Sequence, residues 1–315
     1  MPAAQTRIRC PLCESCEVKV VGGVSAARLR HEYQRLGTHV ETAETEEITL
    51  QRCKSCDLKF FTPIVTPEKD FYEKLQRFPW YYLEEKDEFA TAAQHIHTSD
   101  EVLEIGAGRG AFAHKIAGSR YTGLELSAAA VSAARETGLE LRYETVEQHA
   151  VENAGRYDVV CAFQVLEHVP ETARFLRAAI DCLRTDGRLI LSVPNDDGFV
   201  RLDADVLNFP PHHMTRWSVK CLQSLPSLMP VELVMVKEEL LGHEHVLRYS
   251  TIVVESALRS VLGLSPRLLD TRLRSTVPRL PIRLLAGFLA RGFAIESLRP
   301  RGHSVTVVFR KLSRE

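Results

Sequence analysis

No run in this 315-residue chain approaches the roughly 18 consecutive apolar residues that a membrane-spanning helix needs, so a helical span is excluded. A secretory leader is not expected either: Arg7 and Arg9 are followed by Cys10 rather than by an apolar stretch, and a cytoplasmic protein is anticipated. Excess charge of one sign is also missing. With 40 Lys+Arg against 41 Asp+Glu the net charge is −1, which leaves no global field to attract a polyanion, so a nucleic-acid partner is not expected. There is no internal repeat and no low-complexity tract. What remains is a globular composition, 45% hydrophobic, with length for one large domain and a small one.

Cysteine is unevenly spread. Five of the eight fall between residues 10 and 56. In a reducing compartment they read as metal ligands rather than disulfides. Cys10-Pro-Leu-Cys13 and Cys53-Lys-Ser-Cys56 are two C-x2-C knuckles, and such a pair turns four thiolates toward one tetrahedral zinc ion. Cys16 forms an overlapping C-x2-C with Cys13 and stays open as a spare thiol or substitute ligand. A four-thiolate site leaves no position for water or substrate, so the zinc is expected to be structural. It would stabilise a segment too small to fold alone. The segment has no basic stripe, and acids at 41, 44, 46 and 47 argue against phosphate binding.

The segment Val102-Leu-Glu-Ile-Gly-Ala-Gly-Arg-Gly110 is the most informative. Three glycines, Gly106, Gly108 and Gly110, follow an apolar run that reads as a buried strand, with Glu104 just before them. Glycines at a strand-to-helix turn let backbone approach a ligand closely. The spacing G-x-G-x-G, preceded by an acid, differs from the pyrophosphate-binding G-x-G-x-x-G. It suits a nucleoside without phosphate and with a cationic tail, S-adenosylmethionine. A helix is expected from Gly110 to Ala117, a second strand over 121–125 ending at Glu125, and an Ala-rich helix capped by Ser127 and stopping near Gly138. Further strands are expected at 139–143, 157–163 and 187–193, with a helix carrying Phe175, Leu176, Ala179, Ile180 and Leu183 before the last. Strands alternating with helices in this way imply an α/β protein with a parallel, doubly wound sheet.

The pieces Leu-Glu-Ile-Gly-Ala-Gly-Arg-Gly, Gly-Leu-Glu-Leu-Ser (123–127), Tyr-Asp-Val-Val (157–160), Val-Leu-Glu-His-Val-Pro (165–170) and Ser-Val-Pro-Asn (192–195) stand in the order of a known family. Residues 100–195 resemble a class I S-adenosylmethionine-dependent methyltransferase. The segments 144–150 and 166–170 are similar to those of ubiquinone-biosynthesis O-methyltransferases in particular. The resemblance implies a Rossmann-like seven-stranded doubly wound sheet. It also implies that Glu104, Gly106, Gly108 and Gly110 line the methionine side of the cofactor. Glu125, followed by Leu126, would bind the ribose, Val146 and Glu147 would flank the adenine, and Gln164 would sit beside the sulfonium. The cysteine knuckles with the aromatic run to Pro79-Trp-Tyr-Tyr82 resemble the zinc ribbon and linker of some bacterial methyltransferases of small-molecule and glycan pathways, which the ubiquinone enzymes lack. Tyr81 and Tyr82 would then lie over the cleft on the methionine tail, or form aromatic core. The expected organisation is a zinc ribbon over 1–63, a linker over 64–98 and a methyltransferase domain over 99–315.

The sulfonium already activates the methyl group, so transfer is an in-line displacement in which the protein supplies orientation, desolvation and a base. In Pro210-Pro-His-His-Met-Thr-Arg-Trp-Ser218, His213 is the candidate base or substrate ligand and His212 a substrate contact. They are alternatively loop histidines bonded to backbone. His168, after the fourth strand, is a second catalytic candidate. In the resembling enzymes this region is a divalent-metal site of type E-x-x-E-H, in which Gln164 here replaces the first acid. Gln164, Glu167 and His168 with His213 would make a Mg2+ or Mn2+ set; alternatively Glu167 and His168 cap the following helix.

The C-terminal third is expected to hold a sixth strand at 230–237 and a seventh at 302–311, antiparallel at the sheet edge. A helical insertion, about 243–300, lies between them, with amphipathic helices near 245–262 and 281–294. The latter, with Arg283, Leu284, Leu285, Phe288, Leu289, Arg291 and Phe293, reads as a lid or homodimer surface, or as a peripheral membrane contact suited to a lipid-linked substrate. The expected activity is O- or C-methylation of a small-molecule, sugar or lipid-linked intermediate. The alternatives are an RNA methyltransferase using the ribbon and a non-catalytic cofactor-binding adaptor.

Overall fold

The computed structural model describes residues 7–42, 45–67, 71–78, 81, 84–116, 118–264, 268–269, 279–293 and 295–313. In chain order the strands are β1 (Val18–Ser25), β2 (Val40–Glu41), β3 (Glu47–Cys53), β4 (Lys59–Thr62), β5 (Thr66–Pro67), β6 (Glu101–Ile105), β7 (Arg120–Leu124), β8 (Leu141–Arg142), β9 (Tyr157–Phe163), β10 (Leu183–Pro194), β11 (Thr215–Arg216), β12 (Val231–Leu240) and β13 (Arg301–Lys311). The helices are α1 (Ala26–Arg35), α2 (Phe71–Leu75), α3 (Asp87–Ala93), α4 (Ala128–Glu136), α5 (Val146–Glu152), α6 (Thr172–Cys182), α7 (Val219–Gln223), α8 (Val246–Val261) and α9 (Arg279–Gly292).

Seven strands form the main sheet in the order β12-β13-β10-β9-β6-β7-β8. The four pairings that join the five strands from β10 to β8 are parallel, as short apolar strands joined by helices require, and every residue of β9 is buried. The chain starts at β6, winds to β7 and β8, then returns to β9 on the other side. The reversal between β6 and β9 opens a crevice at their carboxyl ends, the usual place for a ligand in such a sheet. β13 is antiparallel to both β10 and β12, so it lies one place inside the sheet and β12 takes the edge. The sequence explains this correction: Val305, Val307, Val308 and Phe309 are fully buried, whereas β12 carries Glu232, Lys237, Glu238 and Glu239, charges suited to an edge.

Three local expectations need adjustment. The helix expected over 110–117 is a 3-10 turn, Phe112–Lys115, because Gly110 and Gly118 both take positive φ and leave too few residues between them. Leu183, read as helical, opens β10. Glu167 and His168 do not cap α6, whose N-cap position is Glu171. Ser127 does cap α4, accepting from the Ala130 N–H.

The N-terminal segment forms its own sheet, β1-β3-β4-β11, and its fourth strand, Thr215–Arg216, comes from far along the chain after β4 ends at Thr62. Thr215 pairs with Phe60 and Arg216 with Lys59. Cys10, Leu12, Cys53, Cys56, Leu58 and Phe60 share one buried cluster with Leu176, Trp217 and Leu222. Asp57 accepts from the Ser218 hydroxyl at 2.8 Å, and Arg216 lies across the Phe61 and Phe209 rings, 5.3 and 5.0 Å from their centroids.

Candidate active site

At the N-terminal sheet, Cys10, Cys13, Cys53 and Cys56 bring their sulfurs within 4.8 Å of one another. Cys10 and Cys56 are 3.5 Å apart, as are Cys13 and Cys53. Four thiols converging from two hairpin-like knuckles fit a tetrahedral zinc ion. Cys16 is exposed and outside the group, so the choice between the overlapping pairs falls to Cys10 and Cys13.

The crevice between β6 and β9 opens into a cavity of 1960 Å³, larger than a single small-ligand pocket. Its floor is the glycine turn. Gly106 has φ +75°, and a Cβ there would stand 2.4 Å from the Val165 side chain. Gly108 donates its N–H to Glu125 at 2.8 Å, and Ser127 donates its own N–H to the other oxygen of the same carboxylate at 2.8 Å. Glu125 thereby stands clamped at the end of β7, on the rim of the crevice. Beneath the turn, Phe89, Phe112 and Phe163 pack with ring centroids 4.7–5.3 Å apart and fix its height.

The cavity has an excess of buried acid. Burial pushes the Glu104 carboxyl up to about 8, against the hydrogen bond it accepts from the Tyr121 hydroxyl. Burial likewise raises Glu88 and Glu125, and takes Glu167 to about 8. Such carboxyls in one cavity are poised for a cationic ligand, which would stabilise their ionised forms.

The other wall carries three histidines. His168 ends the 3-10 turn Leu166–His168 after β9; His212 and His213 precede β11. The Met214 N–H donates to the Glu167 carbonyl at 2.8 Å and the Phe61 N–H to the Met214 carbonyl at 3.0 Å. The histidine loop is thus pinned between β4 of the N-terminal sheet and the end of β9. The rings stand 4.5 Å (168 to 212), 5.0 Å (168 to 213) and 4.7 Å (212 to 213) apart. Burial lowers all three, His168 to about 4 and His212 to about 3, so they are neutral lone-pair donors at neutral pH.

Residues 73–229 match the family model described as a methyltransferase domain. That segment is a methyltransferase domain. The chain is 37% identical over 103 residues to the ubiquinone biosynthesis O-methyltransferase of Cronobacter sakazakii, covering 30% of this chain and 42% of that one. It is 38% identical over 103 residues to the enzyme of the same name from Vibrio parahaemolyticus, covering 30% and 44%. The chain therefore spans less than half the length of the curated relatives it matches. Among solved structures, a putative methyltransferase from Bacillus halodurans is similar at 18% identity and a TM-score of 0.47, over 72% of this chain and all of that one.

Within the methyltransferase domain, Glu104, Gly106, Gly108, Glu125, Leu126, Val146, Glu147 and Gln164 all line the cavity, as do His168, His212 and His213. Gly110 does not. It faces Leu139, whose Cδ1 a Cβ would meet at 2.4 Å, so the third glycine serves close packing behind the turn. Tyr81 lines the cavity on the histidine side, its ring 6.4 Å from His212; Tyr82 lies outside the described residues. Gln164 turns its amide to Glu88 and Ser304, at 3.4 and 3.2 Å, and so leaves the metal set the sequence suggested. His212 does bond backbone, donating from Nδ1 to the Leu207 carbonyl at 2.9 Å. Sequence reasoning missed Glu88 and Tyr72, which both line the cavity, Tyr72 with its ring 6.2 Å from that of His168. Glu88 had a readable signal: it shares a buried helix face with Phe89, Thr91 and Ala92, where a carboxylate is out of place.

Proposed function

We propose that the protein is an S-adenosylmethionine-dependent methyltransferase acting on a hydroxyl or acidic carbon of a small-molecule, sugar or lipid-linked intermediate. The carrying observation is one cavity that joins the glycine turn and Glu125 to the histidine wall. It has room for a cofactor and an acceptor side by side. In this reading Glu125 holds the ribose hydroxyls, Val146 and Glu147 flank the adenine, and Glu104 faces the cationic methionine end. Gln164 stands at the sulfonium. His213 and His168 orient the acceptor and take its proton, with Glu167 3.8 Å from His168 as the neighbouring acid. His212 and Tyr81 contact the substrate. The organisation proposed is ribbon 1–63, linker 64–98 and methyltransferase domain 99–315, with a structural zinc in the ribbon.

Calorimetry with S-adenosylmethionine on wild type and Glu125→Ala tests this reading. Micromolar binding lost in the variant supports it. Absence of binding to folded, zinc-loaded wild type would overturn it in favour of an adaptor. Copurifying RNA would favour the RNA-methyltransferase alternative.

A peripheral membrane contact is supported by α9. Leu280, Leu284, Leu285 and Phe288 are between 54% and 76% exposed on one helix that also carries Arg283 and Arg291. No helix among the described residues is long and apolar enough to cross a membrane. Co-flotation with anionic vesicles supports the contact; absence of flotation with a doubled mass in solution would assign the face to a homodimer.

A further inference from the structure

The cavity runs along most of the main sheet. Glu125, just past the end of β7, and Leu240, at the end of β12, both line it. Those strands are five places apart in the sheet, about 24 Å at the usual strand spacing. The two ends differ in charge. The glycine-turn end carries Glu104, Glu125 and Glu147, whereas the end walled by β12, β13 and the helical insertion carries Lys86, Arg248, Arg299, His245 and His303. Lys86 belongs there because its neighbour Asp87 is ion-paired with Lys237 of β12 at 3.0 Å.

These cations have donors to spare. The Lys86 ammonium lies over the Phe89 ring, 5.2 Å from its centroid, and has no hydrogen bond or ion pair among the described residues. Arg248 uses Nε and Nη2 on Asp203 and Asp205; Arg299 uses Nε on the Phe293 carbonyl and Nη2 on His243. The Nη1 of each has no hydrogen bond among the described residues. Three acids that line the same end are already bonded: Glu238 accepts from Asn195 and Arg301, Glu239 from the Ser304 N–H, and Asp205 from Arg248. His303 stacks on His245 with ring centroids 5.8 Å apart. Burial, then His245, Arg248 and Lys86, push His303 down to about 4, so two of the cations act on one imidazole. The insertion as a whole has the same bias. Residues 256–301 hold nine arginines, no lysine and two acids, Asp270 and Glu296, in a chain of net charge −1. Guanidinium groups in such surplus match oxyanions in shape as well as charge.

We propose that this end of the cavity is an anion subsite, in which Lys86, Arg248 and Arg299, with His245 and His303 beside them, hold a phosphoryl group of the acceptor. Carboxyls at one end and guanidinium groups at the other divide the cavity between a cationic cofactor and an anionic acceptor, and turn each toward its own end. Calling the bound molecule an acceptor rests on the methyltransferase reading; anion binding itself does not. A soluble phosphate ester and a lipid-linked phosphate both carry the required group.

The test titrates inorganic pyrophosphate into the full-length, zinc-loaded chain by calorimetry, with and without S-adenosylhomocysteine. Wild type should bind one pyrophosphate per chain in both conditions, because the cofactor occupies the other end. Lys86→Met and Arg299→Gln should each weaken pyrophosphate by about tenfold or more, the loss of one charge-assisted hydrogen bond. The double variant Arg283→Gln/Arg291→Gln, on the exposed face of α9, should leave it unchanged. Dihexanoyl phosphatidic acid binding roughly tenfold tighter than glycerol 3-phosphate assigns the subsite to a lipid phosphate, since the acyl chains add apolar burial; equal binding assigns it to a soluble ester. No pyrophosphate binding by folded wild type would overturn the proposal. So would binding that survives in both cavity variants, that is lost only in the α9 variant, or that S-adenosylhomocysteine abolishes. Pyrophosphate binding in a chain that binds no cofactor would sink the methyltransferase reading and leave the subsite standing.

Discussion

Glu104 offers the sharpest test of the cofactor end. Its carboxyl is 3% exposed and accepts from Tyr121, and burial raises it from 4.5 to about 8. The folded state therefore keeps a proton that the unfolded chain releases between those values. Stability contributed by the protonated form is full below 4.5 and is lost as pH rises toward 8. At pH 7 the interval above 4.5, at about 1.36 kcal/mol per pH unit, corresponds to roughly 3 kcal/mol of strain on the ligand-free protein. Glu104→Gln keeps the shape and an oxygen for Tyr121 but cannot ionise. It should stabilise the ligand-free protein at pH 7 by up to that amount, about 4 °C in Tm for a chain of this size, and make little difference at pH 4.5.

The same substitution should weaken the cofactor. A cationic ligand needs the carboxylate, so wild type must release a proton on binding at any pH below about 8. Between pH 5.5 and 7, where an α-amino group stays protonated, the wild-type Kd for S-adenosylmethionine should fall up to roughly tenfold per pH unit. In Glu104→Gln it should be flat, and at pH 7.5 weaker by about ten- to a hundredfold, the loss of one charge-assisted hydrogen bond. Differential scanning fluorimetry and calorimetry across this range decide the matter. A variant less stable than wild type at pH 7, or a wild-type Kd independent of pH, would refute the reasoning.

Gly106→Ala should lose cofactor binding and about 2 kcal/mol of stability, since φ +75° and the 2.4 Å approach to Val165 both oppose a Cβ; a denaturant melt with calorimetry checks it. Cys53→Ser should release the ribbon's zinc and lower Tm, and metal analysis should show one ion fewer per chain. Ser127→Ala removes the side chain that caps α4 and should cost about 1 kcal/mol in urea unfolding.

Sequence patterns revealed the features that local chemistry determines. The glycine turn, the strands at 157–163 and 187–193 and the Ser127 cap depend on neighbouring residues, and a Cys-x2-Cys pair declares its own geometry. Features that depend on contacts between distant segments were not legible. The fourth strand of the ribbon sheet is two residues, Thr215 and Arg216, too short for any periodicity, and it exists because β4 offers an open edge. The neighbourhood of His168 and His212 is set by the Met214 bond to Glu167 and the Phe61 bond to Met214, both backbone contacts to which side-chain identity is indifferent.

That pairing has a consequence for what the ribbon does. The first cysteine knuckle precedes β1 and the second lies between β3 and β4; β4 holds β11, and β11 fixes the two residues before it, Met214 and His213, against the end of β9. A zinc ion too closed to take part in chemistry would therefore still set the position of the histidine wall, through a chain of backbone hydrogen bonds and the Arg216 stack on Phe61. Loosening the ribbon should thus be felt first at the acceptor end of the cavity. The glycine turn, anchored on β6, β7 and the Phe89–Phe112–Phe163 cluster, has no contact of this kind with β4. In Cys53→Ser, S-adenosylmethionine affinity should accordingly survive better than any property that depends on His212 and His213.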